Sequence, residues 1–196
     1  MGEEGRGEAR VTRAATAPIS ARLKKGEPLA NRILRVDHGG ENGAVNIYKA
    51  QAFVCAWRAP DLVQELRHFR AHEERHREIF AAELRARGVR QGIGYRLCGL
   101  GGYVLGLVTG LIGRSAVAAT TYAVERVVLR HLREQLDYLR NEDSKAYAAV
   151  ESIFAEEQMH HDLALADARG SRFWPAIVTP IVTAATELVI WIGMHR

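Results

Sequence analysis

The chain has 196 residues, of which 47% are hydrophobic and 26% charged, and this composition excludes a disordered protein. Its length suits one domain with a substantial core, so we expect no second domain. The net charge of +4 comes from scattered basic residues without a nucleic-acid-binding motif, so nucleic acid is not an expected partner. Cys55 and Cys98 lie far apart without a CxxC motif, which indicates reduced cysteines rather than a disulfide or zinc site.

The N-terminal segment, residues 1–27, is charged and has no long apolar run. It therefore lacks the apolar region of a secretory signal. Glu3, Glu4 and Glu8 argue against a transit peptide, because such peptides avoid acids. The myristoylation pattern also fails, since position 6 is neither Ser nor Thr. We predict a flexible tail over 1–27 and a folded domain over 28–196.

From Asn31 onward, apolar residues recur at helical spacing, and no segment has the alternation of a strand. Gly88 stands where a helix C-terminal cap is expected. The pattern predicts an all-α protein of about five substantial helices. Breaks between helices are expected at Pro60, Gly88 to Gly94, Gly113, Asn141 to Asp143, and Gly170 to Pro175.

Two uncharged stretches stand apart from the amphipathic helices. Residues 97–113 read LCGLGGYVLGLVTGLIG, and residues 173–186 read FWPAIVTPIVTAAT and lead towards Trp191. Each is short for a transmembrane helix, which needs about 20 apolar residues. They are either buried core helices or an interfacial hairpin in one leaflet, and the many glycines favour the hairpin. We predict membrane-associating segments at about 93–113 and 173–194.

Two Glu-x-x-His motifs each place an acid and an imidazole on one helix face. They are Glu73 with His76 and Glu157 with His160. Residues three apart lie one turn apart on the same side, near enough to bind one ion. Both pairs continue the apolar stripe of their helix and so occupy core positions. A carboxylate buried alone is costly, so these acids need partners or a metal.

The same pattern occurs twice in the chain. Glu41 and Glu125 also lie in apolar stripes, without a Lys or Arg at i+3 or i+4. Glu41 precedes Glu73 by 32 residues, and Glu125 precedes Glu157 by 32. Adding 84 to 41, 73 and 76 gives 125, 157 and 160. The spacing therefore indicates an internal duplication of a helix pair.

Four helices that supply two single glutamates and two Glu-x-x-His motifs build a carboxylate-bridged dinuclear metal site. Two divalent ions would cancel the charge of the four carboxylates, about −4. Oxygen-rich ligation with two histidines favours iron first and manganese second over zinc. The alternative is that the acids are solvated and the histidines are ordinary core residues. The predicted metal ligands are Glu41, Glu73, His76, Glu125, Glu157 and His160.

Other polar residues near these motifs have lesser predicted roles. Asp37 and His38 either hydrogen-bond to the ligands or begin the first helix. Residues expected to be solvated, or to hydrogen-bond to the ligands, are Glu156, His161 and Asp162. The histidines expected outside the ligand set are His131 and His161, and those expected at the surface are His68, His72 and His195.

From residue 31 to 196, the chain resembles the demethoxyubiquinone hydroxylases of ubiquinone biosynthesis. The resemblance lies in the motifs RVDHGGENGA, HEERH, YAVE, EEQMHHD and TPIVTAATELVIWIGM, in that order. It implies a ferritin-like four-helix bundle with a membrane-associating helical hairpin and C-terminal helix, and it places the family's ligands on the same six residues. The chain departs from the family pattern at Asn42, Arg126 and Leu132, and none of these departures removes a ligand.

The resemblance also implies an activity, which is O2-dependent hydroxylation of a demethoxyubiquinol ring by two iron ions. Two electrons would come from a nicotinamide such as NADH or from the quinol, although no Rossmann glycine fingerprint is present. The implied partners are a polyprenyl quinol, a membrane surface and other ubiquinone-biosynthesis proteins. The implied location is the cytoplasmic face of a bacterial inner membrane or the matrix face of the mitochondrial inner membrane.

Other ferritin-like activities are the alternatives. Manganese catalase-type peroxide chemistry needs a similar dinuclear site. Rubrerythrin-type peroxide reduction needs CxxC pairs, which the chain lacks. Iron storage without catalysis needs a soluble, shell-forming surface, and the glycine-rich segment argues against such a surface.

Overall fold

A computed structural model describes residues 19–168 and 173–196, and this part of the chain contains helices and no strand. A short 3-10 turn, Pro60–Leu62, leads into the second helix. The all-α fold predicted from the periodicity is confirmed. The helices are α1 Leu29–Arg58, α2 Val63–Ala86, α3 Ile93–Ile112, α4 Arg114–Glu142, α5 Ser144–Ala168 and α6 Phe173–His195.

Two glycines with positive φ end helices where the sequence predicts breaks. Gly88 has φ +66° after α2, and the Val89 N–H donates to the Leu84 carbonyl at 2.9 Å, as in a Schellman cap. Gly113 has φ +115° and is the single residue between α3 and α4. Only glycine adopts such backbone angles without steric cost. The predicted C-terminal cap at Gly88 is therefore confirmed.

Helices α1, α2, α4 and α5 form a four-helix bundle. Tyr48 meets Phe69 across α1 and α2, and α5 follows α4 after the single residue Asp143. Each pair is antiparallel, and α3 makes the long connection between the pairs, which is the topology of ferritin-like bundles. One apolar cluster includes Leu34 and Phe80, and a second includes Tyr48 and Phe69. The predicted ligand positions lie between these two clusters.

Helix α3 packs closely on α1 through its glycines. A Cβ atom added at Gly102 would lie 2.2 Å from the Gly43 carbonyl oxygen, and one added at Gly106 would lie 2.3 Å from that of Ile47. Residues of rising number meet along both helices, so α3 runs parallel to α1. Glycines allow this backbone approach, as in small-xxx-small packing. The glycines that the sequence pattern assigned to a hairpin thus form a helix–helix contact.

Helix α6 relates to α4 as α3 relates to α1. Arg126 contacts Thr183 and Arg130 contacts Glu187, so α6 runs parallel to α4. Alanines of α4 pack against Val178 of α6 in a third apolar cluster. The duplicated unit therefore contains three helices rather than the two that the spacing indicated. Both outer helices lie on the α1–α4 side of the bundle, because Leu105 of α3 joins the same cluster.

Both outer helices keep an apolar face uncovered. Residues opposite the glycines of α3, such as Leu100, are 50–66% exposed, and Ile181 of α6 is 63% exposed. Each helix is long and apolar enough to span a membrane, but buried core helices of soluble proteins also meet this criterion. Only 28% of the most apolar window of α3 and 17% of that of α6 is buried, so neither is an ordinary core helix.

Three expectations need correction or restriction. The described part contains six long helices rather than five, because residues 93–112 form their own helix. Residues 97–113 do not fold back as a hairpin, since α3 is continuous to Ile112. The tail predicted for 1–27 is described only from residue 19, and there Ile19 packs on the core and Glu27 pairs with Arg32 at 2.7 Å.

Candidate metal centre

The six predicted ligands lie together at the middle of the bundle. Each of these residues is at most 6% exposed. They form two overlapping groups, in each of which one donor atom per residue lies within 4.8 Å of the others. The shared members are Glu73 and Glu157. The groups are Glu41, Glu73, His76 and Glu157, and Glu73, Glu125, Glu157 and His160.

The overlap follows from the duplication. Glu41 and His76 complete one group, and their equivalents 84 residues later, Glu125 and His160, complete the other. Glu73 and Glu157 are themselves equivalent, and each lies between both groups. An acid that belongs to both donor groups is placed where it would bridge two ions, if each group held one.

The histidines present their Nδ1 atoms to the carboxylates. His76 Nδ1 is 2.8 Å from Glu157 Oε1, and His160 Nδ1 is 3.1 Å from Glu73 Oε1. Neither nitrogen has a hydrogen-bond partner of suitable geometry, and Glu73 Oε1 has none either. Buried polar atoms without partners are rare in proteins. One such histidine nitrogen in each donor group, together with an oxygen of the shared Glu73, fits lone pairs that are free to bind metal.

Burial and mutual repulsion perturb the acids of the metal-free site. Burial raises the pKa of Glu41 and of Glu125 well above the usual value, and neighbouring carboxylates raise it further. Burial alone would raise the pKa of Glu73 too, but the adjacent imidazoles of His160 and His76 lower it. Burial would lower the pKa of His76, yet the surrounding carboxylates raise it. A divalent ion would relieve this repulsion, since it cancels negative charge directly.

Each ligand histidine binds a further residue through its other nitrogen. His76 Nε2 lies 2.8 Å from Glu156 Oε2, so Glu156 is one of the residues expected to hydrogen-bond to the ligands. His160 Nε2 lies 3.1 Å from His72 Nδ1. His72 is 7% exposed, so its predicted surface position is wrong. The duplication could have revealed its role, because adding 84 to 72 gives 156.

Tyr48 is a second residue that the sequence reasoning did not assign to the site. Its hydroxyl donates to Glu125 Oε1 at 3.0 Å and is fully buried. The pattern showed Tyr48 only as a member of the apolar stripe of α1. A buried tyrosine seven residues after a ligand, on the same helix face, was the available signal.

The remaining polar residues lie outside the ligand set. Asp37 accepts a hydrogen bond from Gln135 at 2.9 Å, and the His38 ring is tilted against that of Tyr95, with centroids 4.7 Å apart. Both residues lie inside α1, which begins at Leu29, and neither hydrogen-bonds to a predicted ligand. His131 is 3.2 Å from Glu187, and His161 is 2.9 Å from Asp162. His68 is exposed and His195 is half-buried.

Two of the three positions that depart from the family pattern make polar contacts between helices. Asn42 donates to the Tyr95 carbonyl at 2.9 Å and accepts from Arg77 at 3.0 Å, which joins α1 to α3 and α2. Arg126 contacts Thr183 on α6 at 3.1 Å. Leu132 is buried in the apolar cluster that includes Leu34. None of these residues replaces a predicted ligand.

Comparisons with known proteins agree with the geometry. The family model described as "Ubiquinone biosynthesis protein COQ7" matches residues 28–193. A Rhodospirillum rubrum relative named 3-demethoxyubiquinol 3-hydroxylase is 34% identical over 84% of this chain and 77% of its own length.

Two mitochondrial relatives extend the match. The Saccharomyces cerevisiae protein named 5-demethoxyubiquinone hydroxylase is 30% identical over 82% of this chain and 76% of its own length. The Homo sapiens protein named NADPH-dependent 3-demethoxyubiquinone 3-hydroxylase is 30% identical over 83% and 76%. The resemblance seen in the motifs is confirmed, and the chain belongs to the ubiquinone biosynthesis protein COQ7 family.

Proposed function

We propose that this protein is a di-iron monooxygenase that uses O2 to hydroxylate the ring of a demethoxyubiquinol in ubiquinone biosynthesis. The names of its relatives support the substrate and the reaction. The observation that carries the metal assignment is the pair of overlapping donor groups that share Glu73 and Glu157. The proposed ligands are Glu41, Glu73, His76, Glu125, Glu157 and His160.

The donor set favours iron. It supplies four carboxylates and two imidazoles for two ions, and such ligation suits iron or manganese better than zinc. When bound, the two irons would supply the reduction of O2 and the delivery of one oxygen atom to the ring. The protein would hold the ions at a fixed separation by Glu73 and Glu157, and the apolar clusters on either side would exclude bulk water.

The source of electrons is a nicotinamide in this proposal. Human and other mitochondrial relatives are named NADPH-dependent, and NADH would donate the same two electrons. Two electrons and two protons reduce the second oxygen atom of O2 to water in any monooxygenase reaction of this kind. The nicotinamide would bind without a Rossmann domain, since the described part of the chain contains no strand.

The substrate carries a polyprenyl tail, and we propose that the outer helices α3 and α6 meet the membrane that dissolves it. Their uncovered apolar faces support this, as does the exposure of Trp191, at 58%. The corresponding location would be the cytoplasmic face of a bacterial inner membrane or the matrix face of the mitochondrial inner membrane. Other ubiquinone-biosynthesis proteins remain proposed partners.

The test combines metal analysis with an O2-dependent assay on a demethoxyquinol. Wild-type protein should contain about two irons per chain and form the hydroxylated quinol. Glu157→Gln should lose iron and lower activity by about 100-fold or more, because it removes a ligand common to both groups. Glu151→Gln is the matched control, since Glu151 is an exposed acid on the same helix.

Other results would select the other ferritin-like activities. Peroxide disproportionation with bound manganese and no quinol product would indicate catalase-type chemistry. Many irons per chain without quinol turnover would indicate storage. Full activity in Glu157→Gln would contradict the proposed centre itself.

A further inference from the structure

The two ligand histidines have outer partners of different chemistry. His76 Nε2 faces the Glu156 carboxylate at 2.8 Å, whereas His160 Nε2 faces the His72 imidazole at 3.1 Å. These partners occupy equivalent positions, because 72 plus 84 is 156. The duplication thus places an anion in direct contact with one ligand histidine and an imidazole in direct contact with the other. Glu156 Oε2 also lies 3.5 Å from His72 Nδ1, so the carboxylate reaches His160 only through that ring.

The direction of each hydrogen bond follows from metal binding through Nδ1. A histidine that binds a metal through Nδ1 keeps its proton on Nε2 and must donate from there. His76 then donates to Glu156, which Arg75 holds with two contacts of 2.9 Å. His160 donates to His72, whose Nε2 lies 3.1 Å from that of His68. A carboxylate acceptor raises the basicity of the ligand imidazole more than a neutral imidazole does.

The two single glutamates, Glu41 and Glu125, also differ in donor strength, and again the stronger donor lies on the His76 side. The Tyr48 hydroxyl donates to Glu125 at 3.0 Å, which withdraws electron density from that carboxylate. The residue equivalent to Tyr48 is Leu132, because 48 plus 84 is 132, and leucine has no donor. No hydroxyl in the described part of the chain hydrogen-bonds to Glu41. Glu41 and His76 are therefore the stronger donors.

We propose that the two metal positions are inequivalent, and that the position of Glu41 and His76 binds a divalent cation more tightly than the position of Glu125 and His160. The asymmetry has two sources. Glu156 occupies the position equivalent to His72, and Leu132 occupies the position equivalent to Tyr48. The inference rests on the dinuclear centre of the proposed function and adds an order of loading to it. The same difference would place the more highly charged ion beside His76 when the two ions differ in oxidation state.

An anaerobic titration of metal-free, full-length protein with Co²⁺ tests the order of loading. Cobalt reports its own coordination through d–d absorption, so the readout is independent of activity. Wild-type protein should bind two ions in two steps whose dissociation constants differ by about tenfold or more. Glu41→Gln should remove the tight step, and Glu125→Gln should remove the weak step.

Glu156→Gln tests the cause. Glutamine keeps an oxygen acceptor for His76 but carries no charge, so the tight step should weaken by about tenfold or more and approach the second. Tyr48→Phe should strengthen the weak step, because Glu125 loses its hydrogen bond. Glu74→Gln is the control, since Glu74 is a partly exposed acid of α2 paired with Arg70. It should leave both steps unchanged.

The outcomes separate this inference from the proposed function. Two ions bound with equal constants, an unchanged tight step in Glu156→Gln, or loss of the tight step in Glu125→Gln rather than Glu41→Gln would overturn the inequivalence alone. Binding of one ion or none to the wild-type protein would overturn the dinuclear centre, and the proposed function with it.

Discussion

The buried glutamates of the metal centre oppose folding when no metal is bound. Glu41, Glu73, Glu125 and Glu157 are each at most 6% exposed, and only two imidazoles lie among them. Removing a carboxylate from water costs several kcal/mol unless it is paired, so such a cluster is expensive in a metal-free chain. The same charges become favourable when divalent ions lie between them. A metal centre formed by these residues would therefore lower the stability of the metal-free protein.

The pKa shifts predict how metal-free protein responds to pH. The pKa values of Glu41 and Glu125 are raised above 4.5, so their contribution to stability is present below pH 4.5 and is lost as pH rises through the raised values. The pKa of His76 is raised above 6.5, so its contribution to stability is also lost as pH rises, but at higher pH. The pKa of Glu73 is lowered, and its effect on stability has the opposite sign. That effect occurs below pH 4.5 and so does not change stability between pH 5 and 8. The free energy of unfolding should fall by more than about 1 kcal/mol between pH 5 and 8.

Chemical denaturation of chelator-treated protein at several pH values measures this slope. Ferrous or manganous ion at about 100 times its dissociation constant should restore about 2.7 kcal/mol. Glu41→Gln should flatten the pH dependence of the metal-free protein, because the variant removes one group that must ionise. Metal-free stability that stays level or rises from pH 5 to 8 would contradict the argument.

The sequence predicted that the six proposed ligands are buried, because each lies on an apolar helix face where a polar side chain needs a partner, and all six are buried. The repeat of 84 residues then linked Glu41 with Glu125 without any structural information. His72 and Tyr48 could not be assigned in this way. Their roles depend on which helix faces them, and the pattern of a single helix shows a face but not its neighbour.

At the scale of the helices, the glycines of α3 also show that a sequence pattern does not predict which helix packs on a given face. The many glycines of residues 97–113 mark this uncharged segment as unusual, but this pattern does not predict its contacts with Gly43 and Ile47. Gly102 lies on the contact face and Gly101 on the open face, with no atom within 4 Å of an added Cβ. The packing therefore requires glycine at position 102 but not at position 101.

Replacing each glycine by alanine should change stability in opposite directions. Gly101→Ala should stabilise the protein by about 0.5–1 kcal/mol, because alanine has the higher helix propensity and meets no neighbour. Gly102→Ala should destabilise it by about 1–3 kcal/mol, because its Cβ would overlap the Gly43 carbonyl oxygen, 2.2 Å away, and force α3 from α1. Equilibrium denaturation of both variants, with metal loading held equal, measures the difference.

An equal effect of the two substitutions would show that α3 is not packed on α1 in solution. Circular dichroism at low denaturant is the control for helix content, which both variants should retain. Gly102→Ala should also reduce the metal content, because Glu41 lies on α1 only two residues before Gly43, the residue that Gly102 contacts.

At the scale of the whole molecule, two sides of the bundle have different surfaces. The α1–α4 side carries α3 and α6 with uncovered leucines, isoleucines and valines. The α2–α5 side is rich in charged residues, such as Arg75 and Glu156, which pair with each other. The metal centre lies between these sides. Under the proposed function, a quinol from a membrane and a nicotinamide from water would therefore approach the centre from opposite directions.

This asymmetry predicts which apolar residues govern membrane binding. Leu100 on α3 is 66% exposed, and Leu163 on α5 is 45% exposed. Leu100→Glu should weaken binding to phosphatidylcholine vesicles with a minor anionic lipid by about tenfold or more, because burying one leucine contributes about 2 kcal/mol. Leu163→Glu makes the same chemical change on the opposite side and should leave binding unchanged. Vesicle sedimentation measures both, and metal content confirms that both variants are folded. Equal binding of the two variants would show that α3 does not contact the bilayer, and the polyprenyl substrate would then need another route to the centre.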